Sequence, residues 1–150
     1  MPASEHPDWY EPLPVFVYGT LRRGFANHDR FCFDVLEVVP AWATGRLYDL
    51  PYGFPAMVPA RDGRAIGELL TFPDPVAALR RLDQLEGFRL DGPRHYDRIV
   101  VEAHPLASGE PVCAWCYVYQ PDRLRAVGTG AFLVAGGNWA SAEAGTARDE

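Results

Sequence analysis

The sequence predicts an α+β fold: a mixed, mostly antiparallel sheet curled towards a small β-barrel, with one main helix and short helices. Three observations predict it. Several short runs are rich in β-branched and aromatic residues and are bounded by turn residues. One segment, and only one, carries a helical apolar period with both ends marked. The 14 glycines of the chain break up the strands and crowd its last third, and the regular strand–helix alternation of a doubly wound fold is missing.

The chain has 150 residues, the size of one domain with one core. With 48% hydrophobic and 23% charged residues, its composition is that of a globular protein. Its 14 basic and 20 acidic residues give a formal net charge of -6. That balance argues against nucleic acid as a partner, because neutralising phosphates needs a basic patch. No apolar run approaches the ~20 residues that cross a membrane. Residues 1–12 lack the basic-then-apolar layout of a signal peptide, so a cytoplasmic location is expected.

Residues 1–13 hold three prolines, several charges and no period, and are expected to form a flexible arm. Pro14 opens the first strand, and Val15, Phe16, Val17 and Tyr18 suit a buried one. Gly19 breaks it, where the chain must turn sharply or admit a close neighbour. Thr20 and Leu21 follow in the turn, with N–H groups free to meet an anion or a carbonyl oxygen. Asn27 to Phe33 reads as a short helix or an irregular loop, and Val35 to Leu50 as one bent strand or two. Prolines and a glycine make Pro51 to Pro59 a loop. Asp62-Gly63 is a hairpin signal ahead of a strand from Ala65 to Phe72.

Asp74 and Pro75 form a helix start, an N-cap followed by proline at the first helical position. Val76, Leu79, Leu82 and Leu85 recur on one face, and Gly87 stops the helix. Tyr96 to His104 and Val112 to Tyr119 read as strands joined through Ser108-Gly109. Four glycines make the section from Gly128 to Gly137 irregular around the apolar run Phe132 to Ala135. Residues 140–150 are small and polar, a flexible tail. The folded domain is thus expected to span 14–139.

Several chemistries are excluded. Gly19 and Gly24 have the spacing of a phosphate-binding loop, but Phe25 and Ala26 stand where its Lys and Ser/Thr belong, which removes nucleotide hydrolysis. Ser4, Ser108 and Ser141 lie in arms and loops, poor places for a nucleophile. His6, His28, His95 and His104 are scattered, and no metal site is expected. Cys113 and Cys116 form a C-x-x-C within a strand, where residues three apart face opposite ways, so they do not share a metal or a disulfide. Cys32 reads as core filler. Trp115, Tyr117 and Tyr119 share one strand face, and core packing accounts for at least one of them.

Glu86 fits the structural rules least. It follows Leu82 by one helical turn, so it shares the apolar side, and it sits at the negative end of the helix dipole. By spacing alone the plainer reading stands, an edge carboxylate reaching to water. Burial beside a helix C-terminus would instead favour the neutral acid and bring its pKa towards that of a general base. Asp83, in the same helix, reads as a structural carboxylate on a solvated face.

These motifs together resemble the γ-glutamylcyclotransferase-like family. Val17-Tyr18-Gly19-Thr20-Leu21-Arg22-Arg23-Gly24, followed by Asn27, is similar to that family's opening. Leu82-Asp83-Gln84-Leu85-Glu86-Gly87-Phe88 is similar to its second signature, and Tyr96 to Val101 and Gly137-Asn138-Trp139 to its later strand and closing segment. The resemblance covers about residues 14 to 139, and the chain is closer to the Tyr-Gly-Thr-Leu branch.

The resemblance implies a small mixed α/β barrel-like fold with one cavity. It implies an enzyme that cyclises a γ-glutamyl group to 5-oxoproline and releases an amine or amino acid, without cofactor or metal. Tyr18, Gly19, Thr20 and Leu21 would hold the glutamyl group and Glu86 would be the essential acid/base. A binding tyrosine matches Tyr117 or, close by, Tyr119. The expected partner is a small γ-glutamyl compound, with no nucleic acid or membrane, on a monomer or weak homodimer. The alternative is a non-catalytic small-molecule-binding or interaction module on the same fold, for which a destabilised acid has no use.

Overall fold

A computed structural model describes residues 8–91 and 94–139. The first strand, β1 (Val15–Val17), is buried at all three positions. The chain continues through helix α1 (Ala26–Phe31) to β2 (Glu37–Thr44), β3 (Arg46–Asp49), β4 (Pro55–Val58) and β5 (Arg64–Thr71). Helix α2 (Pro75–Glu86), β6 (Asp97–Pro105), β7 (Val112–Val118), helix α3 (Pro121–Val127) and β8 (Phe132–Leu133) follow.

Five strands close a barrel in the order β1-β5-β2-β6-β7. Four of its pairings are antiparallel, and β1 closes the ring against β7 in parallel, Val15 beside Trp115. A second sheet of three strands, β4-β3-β8, packs on the barrel, with Leu47 and Met57 in a buried cluster shared with the barrel strands. The fold is therefore α+β, as the sequence predicts.

The period-2 alternation of the strands feeds two cores. Val15 and Val17 join Leu70, Trp115, Tyr117 and Tyr119 in one buried cluster, together with Ala78, Leu79 and Leu82 of α2. Phe16 joins Ala41, Ala43, Ala65, Ala103, Ala114 and Cys116 in the other. The second cluster holds no residue of α2; it fills the narrow barrel lumen, where the barrel strands contribute five alanines, and extends to Leu47, Met57 and Trp139. The first is the layer between the barrel wall and α2.

Helix α2 forms where its signals lie. The Asp74 carboxylate accepts from the Ala77 N–H at 3.2 Å, and Pro75 occupies the first turn. At the far end Gly87 adopts φ 68°, the left-handed conformation that glycine takes without strain, and its N–H returns to the Asp83 carbonyl.

Other segments depart from the sequence reading. The stretch from Pro51 to Pro59, expected as a loop, contains β4, whose four residues are all buried. Pro55 is tolerated because it opens the strand, and Ala56 to Val58 pair with β3. Val35 to Leu50, read as one bent strand or two, does form two, β2 and β3, divided at Gly45. Helix α3 was not expected, although Pro121-Asp122 gives it a proline and an acidic residue in its first turn.

The expected flexible arm is packed from Trp9 onward. The Trp9 ring stacks on Trp115 at 6.3 Å and meets Phe88 at 5.4 Å. The Glu11 carbonyl accepts from Trp115 Nε1 at 2.9 Å, and the Trp9 carbonyl from Arg98 Nη1 at 2.7 Å. Aromatic contacts and two long-range hydrogen bonds hold this proline-rich segment against β6 and β7. Residues 1–7 and the expected tail 140–150 lie outside the described residues.

Among the described residues, no helix is long and apolar enough to cross a membrane. Cys116 is buried in the lumen and Cys113 is exposed, so the C-x-x-C pair does point to opposite sides of β7. Burial pushes the Cys32 thiol up to about 12, in keeping with an inert core residue.

If the layer under α2 holds the domain together, truncating it should be costly. Leu82→Ala should lower unfolding free energy by about 2–5 kcal/mol in urea denaturation. Val100→Ala, at an exposed position of β6, should change it by about 0.5 kcal/mol or less.

Candidate active site

A cavity of about 320 Å³ lies at the C-terminal end of β1. Its walls come from segments far apart in sequence. The turn Tyr18–Leu21 forms one wall and Asn27 of α1 adjoins it. Phe54 and Pro55 enter from the start of β4, Leu85 and Glu86 from the end of α2, His95 and Tyr96 from the approach to β6, and Tyr117 from β7.

The turn keeps its donors unspent. Arg22 N–H bonds back to the Gly19 carbonyl at 3.0 Å, but the N–H groups of Gly19, Thr20 and Leu21 donate to no acceptor among the described residues. The turn is braced from behind. Asn27 Nδ2 donates to the Thr20 hydroxyl at 3.0 Å, and the Leu21 carbonyl lies 2.8 Å from the buried His28 Nδ1.

Gly19 is needed for a close approach rather than for an unusual φ. A Cβ there would stand 2.6 Å from Pro55 Cγ and 2.8 Å from Pro55 Cδ. Pro55 is fixed in turn, because its carbonyl accepts from the Tyr96 hydroxyl at 2.7 Å. Tyr18 is buried, and its hydroxyl is committed on both sides. It donates to the Tyr117 carbonyl at 2.6 Å and accepts from Met57 N–H at 3.1 Å. Tyr18 therefore offers the cavity its ring and main chain, with no free hydroxyl.

Glu86 ends α2 at the cavity and is partly buried. Desolvation pushes its carboxyl up to about 7. Among the described residues no donor bonds to its side chain, so nothing local offsets that desolvation. The helix end is anchored to the opposite wall, since His95 N–H donates to the Gly87 carbonyl at 2.8 Å. Burial, and then the neighbouring Arg123, hold the His95 ring below the usual histidine range.

The two candidate tyrosines separate. Tyr117 lines the cavity, and its hydroxyl donates to Asp83 Oδ1 at 2.5 Å. Tyr119 lies behind the wall, its ring 4.9 Å from that of Tyr96. Asp83 is structural as expected, but it is not on a solvated face. It is buried and takes both Nε and Nη2 of Arg98, at 2.7 and 3.0 Å. The reason is tertiary: α2 lays this side against β6 and β7, where a buried guanidinium can meet the carboxylate.

Sequence reasoning missed the walls made by Phe54, Pro55, His95 and Tyr96, which carry no spacing signal linking them to Glu86. Asn27 was visible only as part of the opening motif. Among the described residues, no group of three or more His, Cys, Asp or Glu side chains is placed to hold a metal ion.

The cavity thus joins a donor-rich glycine turn to an acid at a helix end that has no hydrogen-bond partner among the described residues. Residues 15–141 match the protein family described as gamma-glutamyl cyclotransferase, AIG2-like, and the chain belongs to that family. It is 33% identical over 110 residues to the gamma-L-glutamyl-butirosin B gamma-glutamyl cyclotransferase of Niallia circulans, covering 72% of this chain and 67% of that protein. Among solved structures it is similar to an AIG2-like protein from Mus musculus, with a TM-score of 0.56 at 24% identity, covering 75% of this chain and 82% of that one. It is also similar to an uncharacterized protein from Pyrococcus horikoshii, with a TM-score of 0.59 at 16% identity, covering 91% and 97% of the two chains. These two structures share the fold. The family and the Niallia relative support γ-glutamyl cyclotransferase activity in general.

A valine at position 19 must push Pro55 away and deform the turn. Gly19→Val should retain a folded far-ultraviolet circular dichroism spectrum yet lose measurable binding of a γ-glutamyl ligand by calorimetry. Unchanged affinity in the folded variant would exclude the turn as a binding element.

Proposed function

We propose that the protein converts a γ-glutamyl amine or γ-glutamyl amino acid to 5-oxoproline and the free amine, with Glu86 as general acid/base. The observation that carries this reading is the meeting of Glu86 with the Gly19–Leu21 turn in one cavity. A solvated helix end has no reason to meet that turn.

The substrate carries its own nucleophile. Its α-amine attacks its own γ-carbonyl carbon, closing a five-membered ring, and the bond to the leaving amine nitrogen then breaks. Holding the glutamyl chain folded makes the step intramolecular, which is where much of the rate gain lies. Nothing in this sequence calls for a metal or a nucleophilic side chain.

A proton must leave the attacking amine and reach the departing one. The Glu86 carboxylate accepts it and the Glu86 acid returns it, a cycle that works best when the group titrates near the working pH. A carboxyl at about 7 meets that condition, and desolvation is what brings it there. The oxyanion that forms on the γ-carbonyl needs donors already in place. The N–H groups of Gly19, Thr20 and Leu21, which have no acceptor among the described residues, are suited to it, and to the substrate carboxylate.

The Niallia relative is named for a γ-glutamyl group carried on butirosin B. By that analogy the amine released here would be a metabolite built with a γ-glutamyl cap. A panel of γ-glutamyl amines and amino acids, assayed for 5-oxoproline, identifies it. Failure of every member would exclude the cyclotransferase reading.

Glu86→Gln keeps the size of the side chain and removes the base. It should lower kcat by ~10²–10⁴-fold while a γ-glutamyl ligand still binds. Full turnover in this variant would take Glu86 out of the mechanism.

The pH dependence has a defined sign. Glu86 loses its proton as pH rises through about 7, so kcat/KM should fall as pH drops below that value. Stability should run the other way. The folded pKa of about 7 lies above the ordinary 4.5, so the folded state holds the proton more tightly. Its contribution is complete below about 4.5 and is lost as pH rises to about 7. In thermal melts across that window, Glu86→Gln should lack this slope and match or exceed the wild type at pH 8.

A further inference from the structure

Arg98 is fully buried, with 0% of its surface exposed, and takes no direct part in the cavity. It stands directly across the β6–β7 ladder from Tyr117, so the two side chains share one face of the sheet. Asp83 reaches down from α2 and joins them. One of its oxygens accepts from Arg98 Nε at 2.7 Å and from the Tyr117 hydroxyl at 2.5 Å, and the other from Arg98 Nη2 at 3.0 Å. The remaining Arg98 contacts close the cluster off from water. Nη1 donates to the Trp9 carbonyl at 2.7 Å, and the guanidinium lies 4.5 Å from the Trp115 ring and 4.9 Å from the Phe88 ring.

A phenol has one proton to donate and two lone pairs with which to accept. Here the proton is already given to Asp83. Any further partner of the Tyr117 oxygen must therefore be a donor. A γ-glutamyl group has one strong donor, its α-amine or α-ammonium, while its α-carboxylate and γ-carbonyl are acceptors. The turn on the facing wall has the opposite character, because Gly19, Thr20 and Leu21 offer N–H groups.

On the cyclotransferase reading, we propose that Arg98 is a positioning residue that acts through Asp83 to commit the Tyr117 proton. The Tyr117 oxygen is then left as an acceptor for the α-amine of the γ-glutamyl group. The cavity is thereby divided into an acceptor side, Tyr117 and Glu86, that takes the amine, and a donor side, Gly19 to Leu21, that takes the carboxylate and carbonyl. An apolar residue at position 98 could fill the same space without desolvating a charge. It could not fix the direction of the Tyr117 hydrogen bond.

A double-mutant cycle between Arg98 and Tyr117 tests this. Arg98→Lys keeps a cation but loses the two-point grip on Asp83. It should raise KM by about tenfold, with kcat changed less, the effect of one weakened charge-assisted hydrogen bond at the substrate amine. In the Tyr117→Phe background the same change should alter KM by less than about twofold, because the hydroxyl it acts through is gone. A merely structural arginine would lower the melting temperature equally in both backgrounds and would give equal KM effects in both, and equal KM effects would overturn the proposal.

If Arg98→Lys does not fold, Asp83→Asn serves in its place. Its amide can donate to Tyr117 and turn the phenol proton elsewhere, and the same loss of effect is expected in the Tyr117→Phe background. A readout without substrate separates this inference from the reaction it rests on. With tyrosine labelled by ¹³C at Cζ, the Tyr117 resonance should move in the Arg98 or Asp83 variant, and an unmoved resonance overturns the proposal. A wild type that turns over no γ-glutamyl compound overturns the cyclotransferase reading and, with it, the role given to the Tyr117 oxygen.

Discussion

The buried pair of Asp83 and Arg98 is the constraint on which the arrangement of the fold turns. Removing a carboxylate and a guanidinium from water costs several kcal/mol per ion unless their geometry is good and the remaining hydrogen-bonding groups are met. Here both carboxylate oxygens are bound by the guanidinium, and the spare donors and acceptors reach Trp9 and Tyr117. An ion pair of this kind tolerates little displacement. It ties α2 to the β6–β7 face in one register and draws the N-terminal segment over the top. Glu86 stands one helical turn beyond Asp83, so its place at the cavity follows from where Asp83 is pinned.

The cavity follows from how the walls are packed rather than from any one element. Pro55 sits against Gly19 closely enough that no side chain fits there. Tyr96 holds Pro55, and His95 holds the end of α2 through its main chain. The result is a partly apolar space in which the Glu86 carboxyl is desolvated and the turn's N–H groups have no partner among the described residues. Both conditions are unfavourable for a folded chain in isolation. Such costs are tolerated where a ligand removes them, and that is the physical sense in which this site is poised.

Much of this was legible in the sequence, for identifiable reasons. The run from Pro14 to Tyr18 reads as a strand because its β-branched and aromatic residues have few other uses, and Gly19 marks its end. Helix α2 is legible because Asp74, Pro75 and Gly87 mark both of its ends locally. The opposite orientation of Cys113 and Cys116 follows from the strand period alone. By contrast, β4 is hidden among prolines: Pro51, Gly53, Pro55 and Pro59 carry turn signals that mask Ala56 to Val58, and only the pairing with β3 makes the strand evident. Asp83 was placed on a solvated face because a lone carboxylate on a helix usually lies there, and its burial depends on an arginine from a different strand.

The sequence by itself determined the local geometry: where the first strand stops, where the main helix starts and ends, and which residue types gather in the Tyr18–Leu21 and Asp83–Glu86 motifs. These depend on backbone preference and side-chain period, which act over a few residues. Only the tertiary structure decided that the two motifs share a cavity, that Tyr117 and not Tyr119 lines it, that Tyr18 has no hydroxyl to spare, and that Glu86 is desolvated. Those outcomes depend on distances between segments remote in sequence. Such distances are set by barrel closure and by the buried ion pair, and neither leaves a periodic trace in the chain.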